Sequence, residues 1–179
     1  MSKQRSKPIC VDLDGTLIRN DVTFWSVKEF VKKNFLNIFK VVFWFLFNRA
    51  YMKKMIAQEI ELDTGILDYN KKFLNFLIEQ RTSGVPLFLA TASDEIYAKQ
   101  IADDLGIFDG VFASNGEVSL ASEVKAQTLC AIFGESGFIY AGNSKDDLAV
   151  WSNSGGYILV NPSEKVLECM SGREYLLFN

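Results

Sequence analysis

The chain has 179 residues, 49% of them apolar and 23% charged, with a formal net charge of −3, which fits one globular domain with room for a small inserted subdomain. An acidic balance offers no basic face for nucleic acid. The absence of histidine excludes a Ser-His-Asp triad, a Cys-His pair and an imidazole zinc site, so acid–base work falls to carboxylates, lysine or tyrosine.

The basic N-terminus, Met1 to Pro8, has no apolar core of a signal peptide. Pro8 to Asp12 reads as a short buried strand ended by a turn at Gly15. From Asp21 to about Glu61 the pattern is helical and rich in aromatics, among them Phe24, Trp25, Phe30, Phe35, Phe39, Phe43, Trp44 and Phe47. The most apolar stretch, residues 35–47, is well short of the ~20 residues that cross a bilayer. It is expected as a buried helix, with an interfacial or partner-binding helix, and so membrane contact, as the lesser alternative. A helix over 69–81 presents Phe73, Leu74, Leu77 and Ile78 on one face. Gly84 ends it and Val85 to Ala90 is a second buried strand. Asp94 opens a helix that Gly106 stops. Strand-like Gly110 to Ala113, a loop with Asn115-Gly116 and a helix from about Ser122 to Phe133 follow. Phe138 to Ala141 and Tyr157 to Val160 are two more short strands, with a helix carrying Leu148 and Trp151 between them. Apolar strands alternating with helices predict an α/β fold with a parallel sheet covered on both faces. The block between the first two strands is too long for one crossover and reads as an insertion over the carboxyl edge of the sheet. Cys10, Cys130 and Cys169 are odd in number and far apart, which suits a reducing, cytoplasmic setting better than a disulfide framework.

Ligands of open parallel sheets bind beyond the carboxyl ends of the strands. Strand one delivers Asp12, Asp14, Gly15 and Thr16, strand two delivers Thr91 and Ser93, and the strand ending at Ala141 delivers Gly142, Asn143, Ser144, Asp146 and Asp147. That is an inventory for a hard cation and a phosphate. At a spacing of two on a strand, the side chains of Asp12 and Asp14 point the same way, and the turn at Gly15 lets backbone N–H groups face a phosphate oxygen.

Val11-Asp12-Leu13-Asp14-Gly15-Thr16-Leu17 resembles the first motif of the haloacid dehalogenase (HAD) superfamily. The resemblance implies a Rossmann-like three-layer core of residues 1–18 and 71–179, with a parallel sheet of order 5-4-1-2-3. It also implies a helical cap over 19–70 and a magnesium-dependent phosphatase. Asp12 would be nucleophile and magnesium ligand, and Asp14 the general acid/base with its carbonyl on the metal. Gly15 and Thr16 would bind substrate phosphate. Leu89-Ala90-Thr91-Ala92-Ser93 is similar to the second motif and assigns phosphate binding to Thr91, with Ala92 and Ser93 beside it. Gly142-Asn143-Ser144-Lys145-Asp146-Asp147 resembles the fourth motif, with Asn143 where the family usually has aspartate. An amide carbonyl still ligates magnesium, with one less negative charge to hold it, and Asp147 joins the metal set from nearby. Asp146 is expected at the surface or as a helix cap. For the third motif, Ala121 stands where the nearest subgroup carries a lysine, and a second lysine one helical turn later matches Lys125. Residues four apart share a helix face, so Lys125 is the expected phosphate-binding lysine.

The whole pattern looks like the HAD domain found alone or ahead of membrane-embedded aromatic prenyltransferases, over residues 8–160. The tail to Asn179 is not diagnostic. Three functions follow in order: hydrolysis of a small phosphate ester, dephosphorylation of phosphotyrosine packed on the aromatic cap, and a non-catalytic binding module. In the last, Asn143 marks a decayed site and 35–47 serves a partner or a membrane.

Overall fold

The computed structural model describes residues 6–179; the basic residues 1–5 of the leader reading lie outside the described residues. Six parallel strands, β1 (Ile9–Val11), β2 (Leu87–Asp94), β3 (Gly110–Ser114), β4 (Ile139–Gly142), β5 (Tyr157–Val160) and β6 (Leu176–Phe178), form one sheet in the order β3-β2-β1-β4-β5-β6. The first five stand in the expected order. The sixth is an addition from the tail, with Leu177 in register beside Leu159. Three residues, two of them exposed, carry too little periodicity to announce a strand.

β1 is buried throughout and lies at the centre, with Val11 in register with Leu89 on one side and Ala141 on the other. Successive strand side chains face opposite ways, and the packing follows that period. Ile9, Val11 and Leu89 meet Phe73, Leu77 and Ile101 from helices α4 (Lys71–Thr82) and α5 (Glu95–Leu105). Cys10 and Tyr140 face the other layer with Leu129, Trp151 and Val166, from α6 (Ser122–Phe133), α7 (Leu148–Asn153) and α8 (Glu164–Cys169). The Asp94 side chain accepts from the Ile96 N–H to start α5, and Gly106, at φ 63°, ends it in the left-handed region that glycine tolerates.

The segment between β1 and β2 forms α1 (Val22–Lys33), α2 (Asn37–Phe47), α3 (Arg49–Glu59) and a 3-10 turn (Thr64–Ile66). Asn48 ends α2 and caps α3 by accepting from the Ala50 N–H at 2.7 Å. Phe30, Val41, Met52, Ile56 and Ile60 make a small core of their own among the three helices. The group is tied to α5 where the Tyr97 hydroxyl donates to the Ile60 carbonyl at 2.8 Å and the Gln100 amide to the Leu62 carbonyl at 2.7 Å.

The expectation that 35–47 is a buried helix is overturned. Val41 is the only residue of α2 that is buried, while Phe35, Phe39, Phe43, Leu46 and Phe47 are exposed. The physical reason is geometric. A helix lying on two neighbours can bury one stripe, and a helix apolar all round then leaves the remainder outward.

Candidate active site

Asp12 leaves the end of β1 with its N–H bonded to the Ala141 carbonyl at 2.9 Å. The chain then folds back tightly, the Leu17 N–H reaching the Asp12 carbonyl and the Ile18 N–H the Leu13 carbonyl. Gly15 sits in this turn at φ 78°, and a Cβ built there would stand 2.1 Å from the Asn143 side-chain nitrogen. Glycine is therefore required twice over, for the backbone angle and for the approach of the loop after β4. Gly142 serves that second loop in the same way, since a Cβ there would lie 2.6 Å from the Asp147 carboxyl carbon.

The two aspartates of the turn face different partners. Asp12 is buried, and its Oδ1 accepts from the Lys125 ammonium at 2.7 Å. Lys125, buried on α6, also donates to the Tyr140 hydroxyl at 2.8 Å. Tyr140 in turn donates to Asp147 Oδ1 at 2.7 Å. Burial pushes the Asp12 carboxyl up to about 7, against the pull of Lys125. Burial disfavours the Lys125 charge, yet Asp12 and Asp147 together raise its pKa above the usual lysine range. The Asp14 carboxylate turns the other way, Oδ1 accepting from the Val22 N–H at 2.7 Å and Oδ2 from the Ser93 hydroxyl at 2.6 Å. Burial raises its pKa too, opposed by these two bonds.

A cavity of about 320 Å³ opens over these groups. From the core it is lined by Asp12, Asp14, Ala92, Lys125, Asn143 and Asp146, among others; from the inserted helices it is lined by Asp21, Thr23, Arg49 and Lys53. Lys53 donates to the Ala92 carbonyl at 2.6 Å, and burial lowers its pKa. Thr23 and Ser93 share a hydroxyl–hydroxyl bond at 3.2 Å.

No family model matches the chain. An uncharacterised protein, y4nM, of Sinorhizobium fredii is 33% identical over 168 residues, spanning 90% of this chain; the chain covers 31% of that relative's length. A Bordetella pertussis Tohama I protein of unknown function superposes with a TM-score of 0.72 at 14% identity, covering 98% of this chain and 99% of that one. A substrate-bound phosphoserine phosphatase superposes with a TM-score of 0.66 at 15% identity, over 98% of this chain and 94% of that chain. The fold is that of the HAD phosphatases.

On this HAD fold the sequence-predicted residues come together unevenly. Asp12, Asp14, Gly15, Lys125 and Asn143 converge, and Ala92 lines the cavity from β2. Thr16 is fully buried with its hydroxyl 3.5 Å from Asp12 Oδ2, a distance at the limit of a hydrogen bond. Thr91 and Asp147 already have partners within the protein. Thr91 is fully buried and its hydroxyl accepts from the Ser93 N–H at 3.0 Å, which leaves its own proton to donate, and the Ser93 hydroxyl donates to Asp14. Asp147, expected as a metal ligand, has both oxygens committed to protein donors. Tyr140 bonds Oδ1, while Oδ2 accepts from the N–H groups of Asn143 and Ser144 and from the Ser144 hydroxyl. It orients the Asn143 loop and Lys125. Asp146 is exposed, as expected, and also reaches the cavity rim.

Among the described residues no three acidic, cysteine or histidine side chains converge closely enough to hold a metal by themselves. The available set is mixed: the Asp12 carboxylate, the Asp14 carbonyl and the Asn143 side-chain carbonyl, on two loops that touch at Gly15. Such hard oxygen donors suit magnesium, which keeps several waters and needs few protein ligands. Tyr140, Arg49, Lys53 and Asp21 were not legible as site residues. Tyr140 reads as part of an apolar strand, and the other three lie in helices whose spacing carries no sign of the cavity.

Proposed function

We propose that this protein is a magnesium-dependent phosphomonoesterase that hydrolyses a small phosphate ester through an aspartyl-phosphate on Asp12. The observation that carries the reading is the division between two carboxyls, Asp12 buried and Asp14 half-buried. One is paired with a buried lysine and the other is bonded away from it, toward α1 and Ser93. Two carboxyls with different partners can hold different protonation states, which nucleophile and general acid require.

In the proposed reaction an Asp12 oxygen attacks phosphorus in line and the bond to the leaving oxygen breaks. Asp14 gives its proton to that oxygen. Water then attacks the phosphorus of the aspartyl-phosphate, Asp14 takes a proton from it, and the bond to Asp12 breaks to release phosphate. Lys125 stabilises the equatorial oxygens, with N–H groups of the Gly15 turn. Asp12, the Asp14 carbonyl and Asn143 would hold magnesium, which when bound would supply charge neutralisation at the phosphoryl group. Residues 19–70 serve as the cap in this reading, because Thr23 and Lys53 bond to the strand end at Ser93 and Ala92. Arg49 and Lys53 then select the part of the substrate beyond the phosphate. A cytoplasmic setting accords with the three free thiols.

The phosphotyrosine alternative loses its support, because the cap residues that line the cavity are polar or charged and the aromatics of 35–47 face outward. The test is hydrolysis of p-nitrophenyl phosphate with magnesium and with a chelator, followed by a panel of phosphate monoesters and phosphotyrosine peptides. Magnesium-restored turnover, with small esters ahead of peptides, is the expected result. No turnover under either condition would favour the non-catalytic reading.

A further inference from the structure

α2 presents an apolar surface that is exposed among the described residues. Phe35, Phe39, Phe43 and Phe47 recur every four residues, so they line one stripe of the helix and its lead-in, and with Leu46 each is 70–78% exposed. Leu36, Val42 and Phe45 widen the patch. Contiguous apolar surface of this kind marks an interaction site.

The charge around it identifies the partner. Six of the chain's 19 basic residues, and none of its 22 acidic ones, fall within residues 30–58. Lys32 and Lys33 precede the patch, Lys40 lies within it and Arg49 follows it, its guanidinium 5.7 Å above the Phe45 ring. An otherwise acidic protein thus carries one apolar face edged by cations. Lys32 pairs with Glu29 at 2.6 Å on α1, but two copies docked through this face would still set Lys40 against Lys40 with no acidic residue within 30–58 to relieve it. A surface that is apolar beneath and anionic at its rim answers both features, and a lipid bilayer with acidic headgroups is such a surface. At 11 residues α2 is far too short to cross a bilayer, and among the described residues no helix is long and apolar enough to do so. It can only lie in the plane of the interface.

We propose that α2 docks the protein on an anionic membrane surface, with the phenylalanine stripe among the acyl chains and Lys32, Lys33 and Lys40 at the headgroups. Arg49, directly after α2, both touches this face and lines the cavity, so docking brings the cavity mouth next to the lipid. The proposal does not rest on the phosphatase reading, and its test reads binding rather than turnover.

The full chain is floated with vesicles of phosphatidylcholine alone, and with vesicles containing about one quarter phosphatidylglycerol. The wild type is expected to float with the anionic vesicles only, and binding should weaken as salt rises. The double variant Phe39→Asp, Phe43→Asp should lose at least about tenfold in vesicle partitioning, at an unchanged thermal midpoint because both side chains already face solvent. Should that variant unfold, Phe39→Ala with Phe43→Ala replaces it. Lys32→Glu, Lys33→Glu and Lys40→Glu together should remove the preference for anionic lipid. A wild type that stays unbound with both vesicles overturns the proposal, as does equal binding to both. So does a lipid-free dimer, seen by light scattering, that the Phe39 and Phe43 changes dissolve, since the face would then belong to a second copy.

Discussion

Lys125→Met gives the sharpest test of the site. The methionine keeps most of the side-chain volume but leaves Asp12 without the ammonium 2.7 Å away and Tyr140 without its donor at 2.8 Å. Breaking one side of a buried ion pair costs about 3 kcal/mol, which for a domain of this size lowers the melting midpoint by about 6–12 °C. The cost should depend on pH. A carboxyl whose folded pKa lies above its unfolded value stabilises the fold at low pH and loses that contribution as pH rises through the folded value. Without Lys125, burial and the charges of Asp147 and Asp14 act on Asp12 unopposed, so its folded pKa climbs further above the wild-type value of about 7. The deficit should therefore open as pH rises above neutrality, by about 1.4 kcal/mol per pH unit until the new pKa is passed. Differential scanning calorimetry of both proteins from pH 6 to pH 9, in chelator, measures it. Adding Asp12→Asn should restore much of the lost stability, because it removes the carboxylate left without a donor, while Asp147 keeps its bonds from Tyr140, Asn143 and Ser144. Turnover of the single variant should fall about a thousandfold, the usual cost of one preorganised donor to the transferring group. A melting deficit that is flat across this pH range would refute the reasoning, as would more than a tenth of wild-type turnover.

Asp12→Asn alone should abolish turnover, with losses beyond about a thousandfold, while circular dichroism shows the fold retained; residual activity above a tenth of wild type would remove Asp12 as nucleophile. Asn143→Asp should tighten magnesium binding by adding a charge to a set of hard oxygens, and calorimetry giving an equal or weaker affinity would exclude residue 143 from that set. Gly15→Ala should cost about 1–3 kcal/mol by denaturant unfolding, from the positive φ and the collision with Asn143, and should lower turnover as the two loops part; wild-type stability would show that the loops do not meet there. Cys10 is buried with its thiol pushed up to about 12 by burial, whereas Cys169 is exposed, so a thiol reagent at pH 8 should modify Cys169 and spare Cys10 until denaturant is added.

Much of the core was legible because burial on both faces and residue-level punctuation agree. Ile9–Val11 could only be a covered strand, Asp94 and Gly106 mark the ends of α5 by capping chemistry, and the family resemblance pointed to Lys125, which helix spacing allowed to reach the strand end. The hexad from Asp12 could be placed at the cavity because a turn at the end of a central strand has only one open direction. What was not legible depends on partners distant in sequence. Thr91 and Asp147 lie where expected, but their hydrogen bonds, made to Ser93 and to Tyr140, Asn143 and Ser144, join residues that no local pattern connects. The exposure of α2 was hidden for a different reason. An apolar run broken only by Asn37 and Lys40 has no continuous polar face to report which side meets water, so its sequence is the same whether the covering surface belongs to the protein or to something else.

Asp14 touches both halves of the molecule. Its Oδ1 accepts the Val22 N–H at the first residue of α1, where an anion is favoured by the helix dipole, and its Oδ2 holds Ser93 at the end of β2. The group to which proton exchange is proposed is thus also bonded to the start of α1, beside the Asp21 carboxylate that caps that helix. When the Asp14 carboxyl is neutral, α1 keeps only one of the two negative charges at its start, and when it is ionised the helix is drawn back. In the proposed reaction, each proton delivered to a leaving group would thus draw α1 toward the site, and each proton regained would release it.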